Sequence, residues 1–280
     1  MNAVASGTLY VVGTPIGNLD DLSPRACSVL GAVDLIAAED TRRTRRLLSS
    51  IGVNCQLIGY HDHNERERTP GLVSRLQRGE SLALVSDAGM PSISDPGLRL
   101  VRAALAAGLA VVTVPGASAA AAALTISGLA TDRYVFEGFL PRRGAARRQR
   151  LEALHSESRT MIFYEAVHRI GEAIDALVEV FGASREAALA RELTKIHEQL
   201  RTGTLAEIRA CLDDTIPLKG EFVLLVAGCE ELASASEAEA IRIFTLLSEQ
   251  VSAKSAVALS AEITGLSRNE VYRLTRGARS

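Results

Sequence analysis

Residues 82–97 read LALVSDAGMPSISDPG, and this stretch decides the fold. It begins with four apolar residues, which predict a short buried strand. The next twelve positions contain two aspartates, two prolines and two glycines, and the helical pattern LRLVRAALAAG follows directly. A connection between a strand and a helix ordinarily takes about two to six residues. The excess length therefore predicts that this loop binds a ligand.

Short apolar runs rich in β-formers alternate with helical patterns, which predicts an α/β protein with largely parallel sheets. The runs form two series, so we expect two α/β domains, over residues 1–117 and 118–230. A helical tail over residues 231–280 ends one helix at Gly265 and opens another with a capping box from Ser267 to Glu270, compatible with a small helix-turn-helix unit. The predicted strands are LYVV (9–12), DLIAA (34–38), CQLIGY (55–60), LALV (82–85), AVVTV (110–114), YVFEGF (134–139), TMIFYE (160–165), AALARE (187–192) and EFVLLVAG (221–228).

The composition is that of an ordinary globular protein. The 280 residues are 47% hydrophobic and 23% charged, and the net charge of −2 means that any basic surface must be local. The four cysteines form no C-x-x-C pair and have no histidine cluster beside them, so we expect neither a zinc site nor a disulfide framework. The first residues lack the basic and apolar regions of a signal peptide, which predicts a cytoplasmic protein.

Two further turn-rich loops follow strands of the first series. VGTPIGN (12–18) comes after the first strand, and PGAS (115–118) comes after the fifth. Open α/β sheets bind ligands at the carboxyl ends of their strands, so three such loops predict one cleft. The chain contains neither G-x-G-x-x-G after its first strand nor G-x-x-x-x-G-K-[ST], which removes the main support for a dinucleotide site or a P-loop.

Three charged motifs each have two interpretations. In AAEDTRRTRRLL (37–48), Glu39 and Asp40 precede four arginines, which fits either a catalytic acid beside phosphate-binding cations or an ordinary helix start. The two histidines of HDHNERER (61–68) suggest a metal site without a third ligand, or a helix cap. PRRGAARRQR (141–150) contains five arginines and no acid, as in a solvated loop or helix face or in a nucleic-acid patch.

Along the chain the motifs run LYVVGTPIGNLDDLSPRA, LIAAEDTRRTRRLL, HDHNE, LVSDAGMPSISDPG, PGASAAAAALTISGL, YVFEGFLPR, MIFYEAVHRI, ARELTKIHE and KGEFVLLVAG. In this order they resemble the ribosomal RNA small-subunit methyltransferase I family. The resemblance covers about residues 8–228 and, more loosely, the tail from about residue 240. It implies the tetrapyrrole-methylase fold, with S-adenosylmethionine held in a cleft between the two α/β domains. It also implies methyl transfer to the 2′-hydroxyl of a cytidine in small-subunit ribosomal RNA.

The same resemblance implies the site residues. A ribose hydroxyl is a weak nucleophile and needs a base or a polarising cation, for which the candidates are Glu39, Asp40, His61 and Lys195. The cofactor contacts by motif match are Pro15, Asp87, Ala88, Gly89, Met90, Ser118, Ala119, Tyr164, Leu193 and Phe222. The expected RNA contacts are Arg42, Arg43, Arg45, Arg46, Arg142, Arg143, Arg147, Arg148, Arg150, Lys254, Arg268, Arg273 and Arg276. No metal is required by this chemistry. The implied partners are small-subunit ribosomal RNA or the assembled subunit and a second copy of the chain, with no membrane.

Three rival functions stay open. A methyltransferase acting on a small tetrapyrrole would use the same cofactor, but it would not need the arginine runs or the basic tail. A non-catalytic RNA-binding protein would keep the basic patches and lose the cofactor cleft, which the intact loops at 86–97 and 115–119 argue against. A nucleotide hydrolase would need the phosphate loop and metal cluster that the sequence lacks.

Overall fold

The first sheet is entirely parallel. The computed structural model describes residues 4–212 and 214–275. The strands are β1 (Thr8–Val12), β2 (Leu35–Ala38), β3 (Leu57–Gly59), β4 (Leu82–Val85) and β5 (Ala110–Val114). They lie in the order β3-β2-β4-β1-β5. One face is covered by α1 (Pro24–Leu30) and α2 (Thr41–Ser50), and the other by α3 (Glu65–Gln77) and α4 (Leu98–Ala106). This sandwich explains why β2 and β4 are buried along their whole length.

The second sheet is mixed, so the prediction of largely parallel sheets is wrong for this half of the chain. Its strands are β6 (Tyr134–Phe139), β7 (Thr160–Ala166), β8 (Glu186–Arg191), β9 (Gln199–Thr204) and β10 (Glu221–Val226), in the order β6-β7-β10-β8-β9. Only β6 and β7 pair in parallel. The connection from β8 to β9 has no room for the crossover that a parallel pair requires. The sequence prediction missed β9, because its side chains are mostly exposed and polar.

The helices of this half divide between the two faces of the second sheet. A single helix, α5 (Ala119–Ile126), packs on one face together with Ile16 from the loop after β1. The opposite face is covered by α6 (Gly144–Ala153), α7 (Ile170–Phe181) and α8 (Leu205–Cys211). The loop after β1 is thereby held against the second sheet, which forms the base of a cleft between the sheets. The division of the chain at residues 117/118 and 230/231 stays a prediction.

A helical unit follows the second sheet. It consists of α9 (Glu230–Ser248), α10 (Ala253–Thr264) and α11 (Arg268–Thr275). Gly265 ends α10 in the left-handed conformation, with φ of 74°. The capping box before α11 is confirmed: the Ser267 amide donates to Glu270 Oε2 at 2.8 Å, and the Glu270 amide donates to Ser267 Oγ at 3.2 Å.

Within the two described ranges, no helix has the length and apolar character needed to cross a membrane.

Candidate active site

Three loops of the first sheet meet at the carboxyl ends of its strands. Thr14, after β1, and Gly89, after β4, exchange two backbone hydrogen bonds of 2.9 and 3.0 Å. Gly13 and Gly116 lie so close that a Cβ on Gly13 would stand 2.7 Å from the Gly116 backbone. Only glycine fits this approach. The loops after β1, β4 and β5 therefore form one rigid wall, as the three turn-rich segments predict.

The first cavity at this wall is mostly apolar and has a volume of about 380 Å³. One side is built from the loops after β4 and β5, and the other from the ends of β7 and β10 in the second sheet. This is the size and lining expected of a small-molecule site. Seven of the ten predicted cofactor residues line it: Ala88, Gly89, Met90, Ser118, Ala119, Tyr164 and Phe222.

Aromatic rings shape the second-sheet side of this cavity. The Tyr164 ring packs edge-to-face against Phe136 and Phe139, with centroids 5.0 and 5.7 Å apart. The Tyr164 hydroxyl accepts a hydrogen bond of 3.1 Å from the amide of Ala120, in the first turn of α5. Burial raises the pKa of Tyr164, so the phenol stays neutral and serves as a fixed wall.

A second cavity of about 360 Å³ opens beside the first, and its lining is more charged, with three cations and two acids. Arg43, Arg46 and Lys195 contribute to its lining. Pro15 and Asp87, which are predicted cofactor residues, line this cavity and not the first. Leu193 lines neither cavity and is buried in the cluster that contains Ile16. The two cavities share Ile16, Ala88 and Glu221, so they meet at these residues.

Lys195 is held at this junction by two carboxylates. Its Nζ donates to Glu192 Oε1 at 2.8 Å and to Glu221 Oε2 at 3.0 Å. Burial alone would lower the pKa of Lys195, but the bonds to Glu192 and Glu221 outweigh it and the pKa is raised. Lys195 is therefore a cation at neutral pH and is unsuited to accept a proton. Its side chain lies over Gly17, where a Cβ would collide with it.

Backbone strain is concentrated in the two loops that carry these residues. Ser92 and Ser94, in the loop after β4, have φ of 71° and 61°. Glu192 and Thr194, in the loop after β8, have φ of 52° and 66°. Non-glycine residues in this region cost about 1–3 kcal/mol each and are enriched at functional sites. Both loops face the cleft, which supports a ligand-binding role for it.

Glu39 and Asp87 tie the ends of β2 and β4 together. The amide of Asp87 donates to Glu39 Oε2 at 3.1 Å, and Asp87 Oδ1 accepts from the amide of Asp40 at 3.1 Å. Asp40 is the N-cap of α2 and accepts from the amide of Arg42 at 2.8 Å. Its hydrogen bond from the Arg42 side chain holds the pKa of Asp40 far below its usual range. Neither Glu39 nor Asp40 lines the two cavities, and the helix-start interpretation describes Asp40 well.

His61 also lies outside both cavities. Its Nε2 is 3.1 Å from Asn64 Nδ2, and Asn64 Oδ1 accepts from the His61 amide at 2.9 Å. Asn64 is the N-cap residue of α3, so this part of the motif orders a helix start. Of the four catalytic candidates, the structure brings only Lys195 to the cleft.

Sequence reasoning missed three acids of the cleft, Asp95, Glu165 and Glu221. Asp95 lines the apolar cavity from the loop after β4. Burial and then the negative charge of Glu39 raise the pKa of Asp95 to about 7, with Asp87 contributing in the same direction. All three missed acids lie inside quoted motifs, but only the fold places them at a cavity.

The arginines of α2 divide by their partners. Arg42 pairs with Asp40 at 2.8 Å, and Arg43 pairs with Asp87 at 3.2 Å. Arg45 and Arg46 are exposed and form no ion pair with any residue that the structure describes. Arg46 reaches the open cavity, so its charge is available to a ligand there.

The run at 141–150 is less basic than its sequence suggests, because distant acids neutralise it. Arg148 pairs with Glu152 and Glu179, and Arg150 pairs with Glu137. Arg142 and Arg143 stay exposed and have no ion-pair partner in residues 4–212 and 214–275.

Arg147 corrects the predicted RNA contacts. Its guanidinium is buried between α6 and α7 and pairs with Glu172 at 3.2 Å. A buried guanidinium does not reach a phosphate at the surface, so this arginine is part of the packing of the second half of the chain.

The tail cations Lys254, Arg268 and Arg273 are all exposed on the helical unit, and Arg276 lies outside the described residues. Over the part of the chain that the structure describes, no group of three or more His, Cys, Asp or Glu side chains is arranged to hold a metal ion.

The fold and the two-sided cleft define the class of tetrapyrrole (corrin/porphyrin) methylases, whose family model matches residues 8–209. A second model, the RsmI C-terminal HTH domain, matches residues 234–275. The chain belongs to the ribosomal RNA small subunit methyltransferase I family within this class.

Two curated relatives are named ribosomal RNA small subunit methyltransferase I. The one from Pseudomonas aeruginosa is 51% identical over 272 residues, which is 96% of this chain and 96% of the relative. The one from Xylella fastidiosa is 52% identical over 267 residues, 95% of this chain and 98% of the relative. Among solved structures, a uroporphyrin-III C-methyltransferase from Thermus thermophilus complexed with S-adenyl homocysteine has a TM-score of 0.54 at 16% identity. That likeness covers 79% of this chain and 97% of the other, and it shows the shared fold.

Proposed function

We propose that this protein transfers a methyl group from S-adenosylmethionine to the 2′-hydroxyl of a cytidine in small-subunit ribosomal RNA. The observation that carries the proposal is the pairing of an apolar cavity with an open one lined by three cations and two acids, joined at Ile16, Ala88 and Glu221. A cofactor and a polyanion can meet across such a junction. The name and near-complete coverage of the curated relatives support the same reaction.

The residues of the apolar cavity fit S-adenosylmethionine, which is a cation at sulfur and carries an activated methyl group. Ala88, Gly89 and Ala119 leave room for close backbone approach, and the aromatic wall at Tyr164 offers a face for the adenine. Asp95 supplies a carboxyl group inside a mostly apolar site, where a charge interacts strongly with a cationic ligand. The fit supports the cofactor assignment made from the motifs.

The junction between the cavities is where an acceptor oxygen would reach the methyl group. Of the three shared residues, only Glu221 ionises. Its carboxylate is 3.0 Å from the Nζ of Lys195, so an anion and a cation stand together at the point of transfer. We assign Lys195 to hold the ribose oxygen and to stabilise the charge that develops on it, and Glu221 to accept the hydroxyl proton.

The reaction then follows from alignment. When bound, S-adenosylmethionine would supply a methyl group on a sulfonium, and its sulfur would keep the electron pair of the broken carbon–sulfur bond as the ribose oxygen bonds to the methyl carbon. The proton of the hydroxyl moves to the Glu221 carboxylate. The rigid loops after β1, β4 and β5 contribute by fixing the direction of approach, which is a large part of catalysis in a displacement of this kind.

The RNA would enter from the open cavity. Arg43 and Arg46 lie on its rim. Structured RNA is recognised mainly through phosphates, 2′-hydroxyls and shape, which suits a surface of arginines without a deep groove.

The variant Glu221→Gln tests the assignment at the junction. Loss of a general base lowers turnover by about 100-fold or more, whereas cofactor affinity should change little. Glu186→Gln is the matched control, because Glu186 is exposed at the start of β8 in the same sheet and lines neither cavity. Single-turnover methylation rates and calorimetric cofactor binding separate the two effects. A Glu221→Gln enzyme with full turnover would remove Glu221 from the reaction.

We infer further that the protein acts as a homodimer in the cytoplasm, where the ribosomal substrate is found. The exposed apolar side chains Ile196 and Leu200 lie beside the outer edge of β9, at 97% and 39% exposure. Strand edges with apolar neighbours are ready surfaces for pairing. Light scattering behind size exclusion tests the assembly: a mass near twice 29.8 kDa is expected, and a mass of 29.8 kDa would contradict it.

A further inference from the structure

A separate cavity lies in the helical unit, away from the cleft. It has a volume of about 430 Å³ and is walled by all three helices of the unit. Phe244 comes from α9, Val257 and Ala258 from α10, and Tyr272 from α11. Lys254 and Arg268, at the starts of α10 and α11, also line it, and both are exposed.

We propose that this cavity binds an unpaired nucleobase of the RNA substrate, with Tyr272 stacking on the base and Lys254 and Arg268 contacting the flanking phosphates. The proposal rests on the proposed function, since it takes RNA as the substrate. It adds a second contact point for RNA, remote from the residues that perform the transfer.

Charge complementarity points to a polyanion. The lining residues include two cations and no acid. Two acids of the unit are engaged by other groups: Glu239 pairs with Arg242 at 2.6 Å, and Glu270 closes the capping box of α11 and lies 3.8 Å from Arg133. The lining itself is therefore positive, although residues 230–275 as a whole carry seven acids and four bases.

The shape of the cavity favours a single unstacked base. Tyr272 is 56% exposed, so its ring presents area to a ligand at the mouth. Stacking of a base on an aromatic ring contributes roughly 1–3 kcal/mol and tolerates any base, because every base has a flat face. A base inside a duplex is already stacked and cannot enter, which predicts selectivity for single strands. An apolar peptide segment would fill the cavity without needing the two cations.

The absence of tryptophan from the chain permits a direct reporter. In the full-length variant Tyr272→Trp, the only tryptophan stands at the cavity, and a stacked base quenches its emission. We expect saturable quenching by a single-stranded RNA oligonucleotide and none by the same sequence in a duplex. Leu105→Trp is the control, because Leu105 is 59% exposed on α4 and lines none of the cavities described above.

Two further changes in the Tyr272→Trp background separate shape from charge. Ala258→Leu fills the cavity without altering any charge and should weaken single-strand affinity at least about fivefold. Lys254→Ala should weaken binding and reduce the slope of log affinity against log salt by about 0.7. Arg242→Ala should do neither, because Arg242 belongs to the same unit but is already paired with Glu239.

The outcomes distinguish this proposal from the proposed function. Equal quenching by single strand and duplex, or unchanged affinity in Ala258→Leu, would overturn the nucleobase cavity even if the protein methylates ribosomal RNA. If Ala258→Leu lost binding to assembled small subunits while single-stranded RNA caused no quenching of the Tyr272→Trp emission, the result would overturn the proposal in favour of a protein partner. Saturable, single-strand-specific quenching that Ala258→Leu removes would support it even if methylation were not found.

Discussion

The variant Asp95→Asn removes a carboxyl group that destabilises the folded protein when it is ionised. Asp95 lines the apolar cavity, and burial together with the charge of Glu39 raises its pKa to about 7 from its ordinary value of 3.8. In the folded protein the group stays protonated up to about pH 7, whereas in the unfolded chain it ionises near pH 3.8. In the cofactor-free protein, Asp95 therefore has little effect on the free energy of unfolding below pH 3.8. The free energy of unfolding falls as the pH rises from 3.8 toward 7.

The shift from 3.8 to about 7 sets the magnitude. A pKa difference of about three corresponds to about 4 kcal/mol of free energy of unfolding for a fully buried group. Asp95 is only partly buried, so solvent screening reduces the expected effect to about 1–2 kcal/mol. Asparagine has no charge to shield, so the variant should exceed the wild type in free energy of unfolding by about this amount at pH 8 and by almost nothing at pH 4.

Urea unfolding followed by circular dichroism measures the difference, since the chain has no tryptophan to report it. Asp34→Asn is a control of opposite sign: hydrogen bonds from Ser81 lower the pKa of Asp34, so its ionised form stabilises the fold above pH 3.8. The affinity of the wild type for S-adenosylmethionine should rise as pH passes through 7, and that of Asp95→Asn should be lower and independent of pH. Equal stability of Asp95→Asn and wild type at pH 8 would refute the reasoning.

Three more predictions follow from the site. Lys195→Met should lower single-turnover methylation by about 10-fold or more while cofactor binding persists, and an unchanged rate would remove this cation from the junction. Gly116→Ala should destabilise the loops of the cleft and weaken cofactor binding, because its Cβ would stand 2.8 Å from the Gly13 backbone; wild-type affinity by calorimetry would contradict the close approach. The double change of Arg142 and Arg143 to Ala should weaken RNA binding more at 50 mM than at 200 mM salt. Arg148→Ala removes a cation that is already paired, so it should have the smaller effect. Equal losses of RNA affinity would show that ion pairing does not decide which arginines contact RNA.

The sequence predicts the first sheet well for a physical reason. β2 and β4 are buried on both faces, so each reads as a short continuous apolar run with turn residues after it. The loop after β4 could be singled out because its length and its glycines are local properties. The caps at Gly265 and Ser267 are local for the same reason, and the structure confirms both.

What the sequence does not predict depends on contacts between distant segments. In the second sheet, β10 lies between β7 and β8. No local sequence pattern indicates this position of β10 or its antiparallel direction. The acids that neutralise Arg147 and Arg148 come from α7, more than twenty residues away along the chain. Asp95 and Glu221 look like ordinary loop and strand-end acids until the two cavities bring them to the same cleft. Charge counting along the chain therefore overestimates the basic patch and misses the acids of the site.

A methyl-transfer assay shows whether the protein methylates small-subunit ribosomal RNA. The protein is incubated with labelled S-adenosylmethionine and small ribosomal subunits that lack the modification, and the RNA is then digested to nucleosides. The account predicts label in 2′-O-methylcytidine, with the label lost in Glu221→Gln and kept in Glu186→Gln. Absence of label from the RNA, with cofactor binding shown separately and label found on a tetrapyrrole offered in parallel, would contradict it.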